Sequence, residues 1–302
     1  MRILILIQEF LVHLSQTFIS CLRILLQSKF KGILKINKQQ KNRLLILGNG
    51  PSLKDSLEKF DKLPSTNLDL MSVNAFATTS YYKKLKPKYY IINAVTYFQK
   101  DEEMSPFYIE LRKTLFQHLL EDTLWDLYLM VPFRAKKSKE FLELISQNKH
   151  LHPIYFNQTP GEGFQCFTKL VYSRSWAIPR PHNVLIPAIM NSLYLGFKEI
   201  IIIGADHSWL SEISVNEKNE ALVHQKHYYD EQSSRPEKVQ DYITRPRRLH
   251  EILHKYYLSF QGYWDIEQYS RKRGATIYNS SEISLIDAFE RKSLEELTRS
   301  RN

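Results

Sequence analysis

From residue 44 onward, apolar runs of four to six residues alternate with longer amphipathic stretches, the pattern of buried strands joined by helices. The expected strands span 44–47, 68–73, 89–92, 127–131, 152–156, 199–203 and 275–278. The expected helices span 54–60, 101–120, 139–147, 184–195 and 249–273, with Gly196 and Gly274 placed to close the last two. This alternation predicts an α/β fold with a mainly parallel, Rossmann-like sheet and helices on both faces. No internal repeat interrupts it.

Residues 1–40 follow a different pattern. An apolar segment from Ile3 to Leu26 is broken by Glu9, His13, Gln16 and Arg23, so no uninterrupted run approaches the ~20 apolar residues of a spanning helix. Lys29, Lys31, Lys35, Lys38 and Lys41 follow as a basic collar. The combination predicts an amphipathic helix in the headgroup region of an acidic membrane, or one packed on the domain or on a second subunit. No small-residue cleavage site follows the apolar segment, and the expectation is a cytoplasmic protein, peripheral on the inner face of a bacterial plasma membrane. The expected organisation is therefore a helical segment at 1–40, a catalytic domain at 41–290 and a polar tail at 291–302.

Charge and cysteine content narrow the class. A net charge of +10 over 302 residues points to an anionic partner. Two distant cysteines, Cys21 and Cys166, provide neither a disulfide framework nor a zinc cluster. Nucleic acid is disfavoured as the partner because no helix-turn-helix, zinc-finger or RNP signature occurs.

The candidate chemistry gathers at strand ends. Gly48-Asn49-Gly50-Pro51-Ser52 follows the first strand and opens a helix. Glycines there allow close approach to a ligand, and the helix start favours an anion. This turn is neither G-x-G-x-x-G nor a P-loop. Asn74, Asn93 and Asp206 occupy equivalent strand ends, where open α/β sheets bind ligands. An asparagine amide offers both a donor and an acceptor, suited to ribose hydroxyls and a pyrimidine edge.

These motifs, in this order, resemble the bacterial sialyltransferases of glycosyltransferase family 42. The likeness covers roughly 43–110 and 180–210, with Leu47 to Lys54, Val73-Asn74, Ile92-Asn93 and Gly204-Ala205-Asp206 carrying it. It implies a GT-A variant fold, a CMP-activated donor, inversion at the anomeric carbon and no obligatory divalent metal. The resemblance places Gly48, Asn49, Asn74 and Asn93 on the CMP-sugar; Gly50, Ser52, Asn183 and Asp206 are grouped with them as binding residues. The chain departs from the family in two places. Pro179 to Asn183 stands where the sialyltransferases have Arg-x-Thr-Ser-Gly, and His207-Ser208-Trp209 replaces a segment carrying a tyrosine. A related group, the MptE-like proteins, includes ATP-dependent pterin diphosphokinases and supplies the alternative activity. Non-enzymatic binding of a polyanion is the third reading.

Sugar transfer to a hydroxyl needs a general base, and histidine has the suitable pKa. His227, with Tyr228 and Tyr229 beside it in a polar segment able to act as a lid, is the expected base. His254 is the alternative, and His250 ranks behind it. Arg134, Lys136, Lys137, Arg174 and Arg180 could hold the donor carboxylate or an acidic acceptor, and 164–176 is expected to be an acceptor-side loop. The expected partners are a nucleotide-sugar donor, a glycan or glycolipid acceptor of a lipooligosaccharide or capsule, and an acidic membrane surface. A homo-oligomer is compatible with this reading.

Overall fold

The structure is a computed structural model that describes residues 2–30, 42–63, 67–224, 237–238 and 245–299. Its elements begin with α1 (Arg2–Gln27), β1 (Arg43–Leu47), α2 (Leu53–Phe60), β2 (Asp69–Val73), α3 (Ser80–Leu85), β3 (Tyr89–Ile91) and α4 (Pro106–Asp122). They continue through β4 (Leu127–Pro132), α5 (Lys139–Gln147), β5 (Leu151–Phe156), α6 (Gln165–Ser173), α7 (Leu185–Leu195) and β6 (Glu199–Ile203). Last come β7 (Ile213–Val215), β8 (Ala221–Val223), β9 (Glu237–Lys238), α8 (Leu249–Lys272), β10 (Thr276–Asn279), β11 (Glu290–Arg291) and α9 (Leu294–Arg299).

Eight strands form one sheet in the order β11-β10-β6-β1-β2-β3-β4-β5, and every neighbouring pair is parallel. Because successive residues of a strand face opposite ways, each continuous apolar run serves two cores. Leu44, Ile46, Ile200 and Ile202 pack with α7 and α8 on one face. Leu45, Leu47, Ile201 and Ile203 pack with α2, α4 and α5 on the other. The helices α7 and α8 close at Gly196 (φ +93°) and Gly274 (φ +63°), as their positions predict.

The chain runs outward from β1 to β5 and then returns through α7 to place β6 on the other side of β1. The order therefore reverses between β1 and β6, which opens a crevice at their carboxyl ends. A smaller antiparallel sheet, β7-β8-β9, follows β6 in the chain.

Three regions differ from the sequence expectation. The 164–176 stretch is not a loop: α6 carries most of it, and Tyr172 is buried with its hydroxyl donating to the Gly161 carbonyl at 2.6 Å. The expected tail is structured as far as Arg299, with Leu294 and Leu297 buried in the core. Arg43 reaches the Leu297 carbonyl at 2.6 Å and ties this end of the chain to β1. The helix α1 spans 26 residues, long and apolar enough by length and composition to cross a membrane despite its polar interruptions.

Candidate functional site

The reversal between β1 and β6 opens into a cavity of about 600 Å³. Asn49, Gly50, Asn74, Asn93, Asn183 and Asp206 all line it, so six of the eight expected binding residues converge. Gly48 and Ser52 lie behind its wall.

The glycine turn has a different purpose from the one expected. A Cβ on Gly48 would stand 2.3 Å from the Gly204 carbonyl oxygen, and one on Gly50 would stand 2.7 Å from the Asp206 carboxyl carbon. The space these glycines leave is filled by the turn after β6, not reserved for a ligand. Backbone bonds from Gly48 to Ile203 and from Gly50 to Gly204, both 2.8 Å, hold the two turns together. One Asp206 carboxylate oxygen accepts the Ser52 N–H at 2.7 Å, and the other accepts the Ser52 hydroxyl. The anion at the start of α2 is thus Asp206 itself. Burial raises the Asp206 pKa against the lowering effect of these Ser52 bonds.

The strand-end asparagines brace a loop. Asn74 sits at φ +45°, and its side-chain oxygen accepts the Asn93 N–H at 3.3 Å. The Asn93 oxygen accepts Gln158 Nε2 at 2.6 Å, while its Nδ2 faces the carbonyls of Pro181 and Asn183 at 3.5 Å each. Gln158, absent from the sequence-based set, completes this clamp.

The turn that departs from the sialyltransferase motif supplies the most directed groups. Asn183 Oδ1 accepts the N–H groups of Leu185 and Ile186 at 3.0 and 3.2 Å, capping α7. It also accepts the Tyr263 hydroxyl at 3.0 Å. Since Tyr263 donates its proton there, His207 Nε2, 2.6 Å from the same hydroxyl, must carry the proton in that bond. Three donors therefore fix the Asn183 oxygen and turn its Nδ2 away from them. Asn183 Nδ2 and His182 Nε2 are both buried without a hydrogen-bond partner among the described residues, and both residues line the cavity. Such orphaned groups cost free energy unless a ligand satisfies them.

Cations and aromatics complete the walls. Arg134, Arg180, Arg247 and Lys255 line the cavity. Arg180 is held by Glu162, with Nε 2.7 Å from Oε1. Burial lowers the Lys255 pKa, and Arg247 lowers it further. Burial, reinforced by Lys255, Arg180 and Arg247, takes His182 down to about 4, so its imidazole is neutral at pH 7. Trp209 packs on Tyr256 at 4.0 Å between ring centres and on His207 at 4.7 Å, an aromatic cluster beside these polar groups.

The expected base residues fare differently. His227, Tyr228 and Tyr229 lie outside the described residues. His254 is exposed and stacks on Tyr257 instead of facing the cavity, because the inward face of α8 carries Lys255, Tyr256, Ser259 and Tyr263. Of the remaining basic candidates, Arg174 is exposed and Lys136 lies 4.4 Å over the Tyr155 ring. His182 and His207 do not stand out as catalytic candidates in the sequence because nothing around them marks burial. The available signal was the departure from the family turn itself.

No family model matches the sequence, and no curated protein matches it. A solved structure of the MAf glycosyltransferase from Magnetospirillum magneticum AMB-1 is similar, with a TM-score of 0.46 and 11% sequence identity. The match covers 93% of this chain and 38% of that one. At this distance the likeness does not say what this chain acts on.

The buried histidines have a consequence for stability. Full burial lowers the His207 pKa to about 3, whereas an unfolded histidine titrates near ~6.5. Below that value the unfolded chain takes up a proton that the folded one refuses, so stability is lost as pH falls toward about 3. His207→Gln, which can still donate to Tyr263, is expected to flatten this decline. Urea unfolding midpoints measured at neutral and acidic pH test it; parallel pH dependences in the two proteins would reject the assignment.

Proposed function

We propose that this protein is an inverting glycosyltransferase that moves sialic acid or a related acidic sugar from a CMP-activated donor to a glycan or glycolipid acceptor, with a histidine base and no obligatory divalent metal. One observation carries the reading. Two orphaned polar groups, His182 Nε2 and Asn183 Nδ2, share a switch-point cavity with four basic side chains. A donor bearing a phosphodiester and a carboxylate supplies the anions and acceptors such a cavity lacks.

In the proposed reaction the acceptor oxygen attacks the anomeric carbon from the face opposite the phosphate. The bond to the phosphate oxygen breaks, the hydroxyl proton passes to histidine, and CMP departs with the bonding electron pair. The Asn183 N–H and the nearby cations would stabilise the charge that develops on the leaving phosphate. His227 remains the proposed base.

The diphosphokinase alternative is less well supported by the residues. It calls for carboxylates free to hold Mg²⁺, yet both Asp206 oxygens are engaged by Ser52 and Asp230 lies outside the described residues. Calorimetric titration with CMP, UDP and ATP tests the proposal. CMP is expected to bind most tightly, and His182→Ala to weaken it by about 10- to 100-fold, the usual cost of a lost hydrogen bond to a charged group. Binding of ATP alone would overturn the reading.

A further inference from the structure

The helix α1 is built inside out. Glu9, His13, Gln16, Ser20, Arg23 and Gln27 recur every three or four residues and form one polar stripe. In a soluble domain that stripe would face water. Here, from His13 onward, it faces the protein. The Ser20 hydroxyl accepts the Glu162 N–H at 2.9 Å, Arg23 pairs with Glu162 at 3.3 Å, and Gln27 reaches the cavity wall. Beside the stripe, the Thr17 hydroxyl accepts the Phe164 N–H at 3.0 Å, and His13 packs against Phe164 with its ring tilted. A Cβ on Gly163 would stand 2.1 Å from the Thr17 hydroxyl oxygen, so the loop is shaped to receive the helix.

The opposite side is apolar and bare. Ile3, Ile7, Leu11, Phe18, Leu22 and Leu25 run along it, each between 46% and 73% exposed. Leu4, Val12, Ile19 and Leu26 are exposed on its flank. An apolar surface this wide, running for roughly 33 Å along the axis, is far larger than the patches soluble monomers tolerate.

We propose that this face is buried in the interface of an anionic lipid bilayer, with α1 lying in the membrane plane and the cavity held at the membrane surface. Charge favours that occupant. Residues 1–42 carry seven lysines and arginines against one acidic residue, Glu9. The breadth of the apolar face favours lipid over a second copy, because a paired helix covers only a narrow seam. The docking of α1 favours lying over spanning. From Phe10 onward the helix is held against the domain, leaving roughly 12 Å of free helix, under half of the ~30 Å hydrocarbon core. The inference does not depend on which nucleotide the cavity takes.

Sedimentation of the full chain with vesicles tests it. Vesicles of equal parts phosphatidylglycerol and phosphatidylcholine should carry the protein down, pure phosphatidylcholine much less, and added salt should release it. The double variant L11E/F18E should lower partitioning by about 100-fold or more. Both substituted side chains are exposed, and an unchanged urea unfolding midpoint shows that the variant is folded. Three results would overturn the inference: vesicle binding unaffected by the substitutions, attachment that survives alkaline carbonate, or a vesicle-indifferent dimer in solution that the same substitutions dissociate.

Discussion

Asn183→Asp is expected to leave the fold at least as stable as the wild type while weakening CMP binding by two orders of magnitude or more. The two effects separate because the side chain's two ends do different work. Its oxygen caps α7 through Leu185 and Ile186 and accepts from Tyr263. An aspartate keeps an oxygen in that position, and a negative charge at a helix start is favourable. At the other end Nδ2, buried and unpartnered, becomes an oxygen. The proposed donor to the phosphate is lost and a like charge takes its place, so the lost bond and the repulsion would both act against the ligand. Tyr263→Phe serves as a milder control. It keeps the cap but frees the amide to rotate, so affinity should fall less than with Asn183→Asp. Urea unfolding and calorimetry on the same preparations decide the matter. Loss of stability in step with loss of binding would make Asn183 a purely structural residue.

What the sequence made legible followed from periodicity. The Ile200 to Ile203 run, with its neighbouring strands, could only be buried on both faces, and the helices closed by Gly196 and Gly274 end where the pattern places them. The location of the site was also legible, because strand-end polar residues in a parallel sheet must converge. Individual roles were not. Gly48 looks the same in sequence whether its open side meets a phosphate or the Gly204 carbonyl, and only the spacing of β1 and β6 decides. Asn93 likewise reads as a ligand contact until Gln158 is brought from a distant part of the chain to occupy it. His254 and Lys255 are adjacent in sequence, and the helical rotation between them sends one to solvent and the other to the cavity. The inversion of α1 was hidden for a related reason: its polar stripe is visible in the sequence, but not the direction in which it points.

Gly48→Ala is expected to be the most destabilising small substitution in the crevice, costing about 3 kcal/mol or more, at the upper end of what overpacking imposes. The added methyl would meet only main chain at the end of β6, 2.3 Å from the Gly204 oxygen and 2.9 Å from the Ile203 oxygen. Backbone cannot rotate aside as a side chain can. Relief requires β1 and β6 to separate just beyond the Leu47–Ile203 pair, breaking the 2.8 Å bond from Gly48 to Ile203. Gly50→Ala differs in kind. Its methyl meets the Asp206 carboxylate, which can swing away at the expense of its Ser52 bonds, so stability should fall less and the cavity should change more. Gly196→Ala isolates the conformational contribution: at φ +93° nothing lies within 4 Å of the new Cβ, and the strain alone should cost about 1 kcal/mol. Urea unfolding should therefore rank Gly48→Ala well above Gly196→Ala. Equal losses would mean that the two turns part easily and that the floor of the cavity is not the rigid platform that the proposed sugar transfer requires.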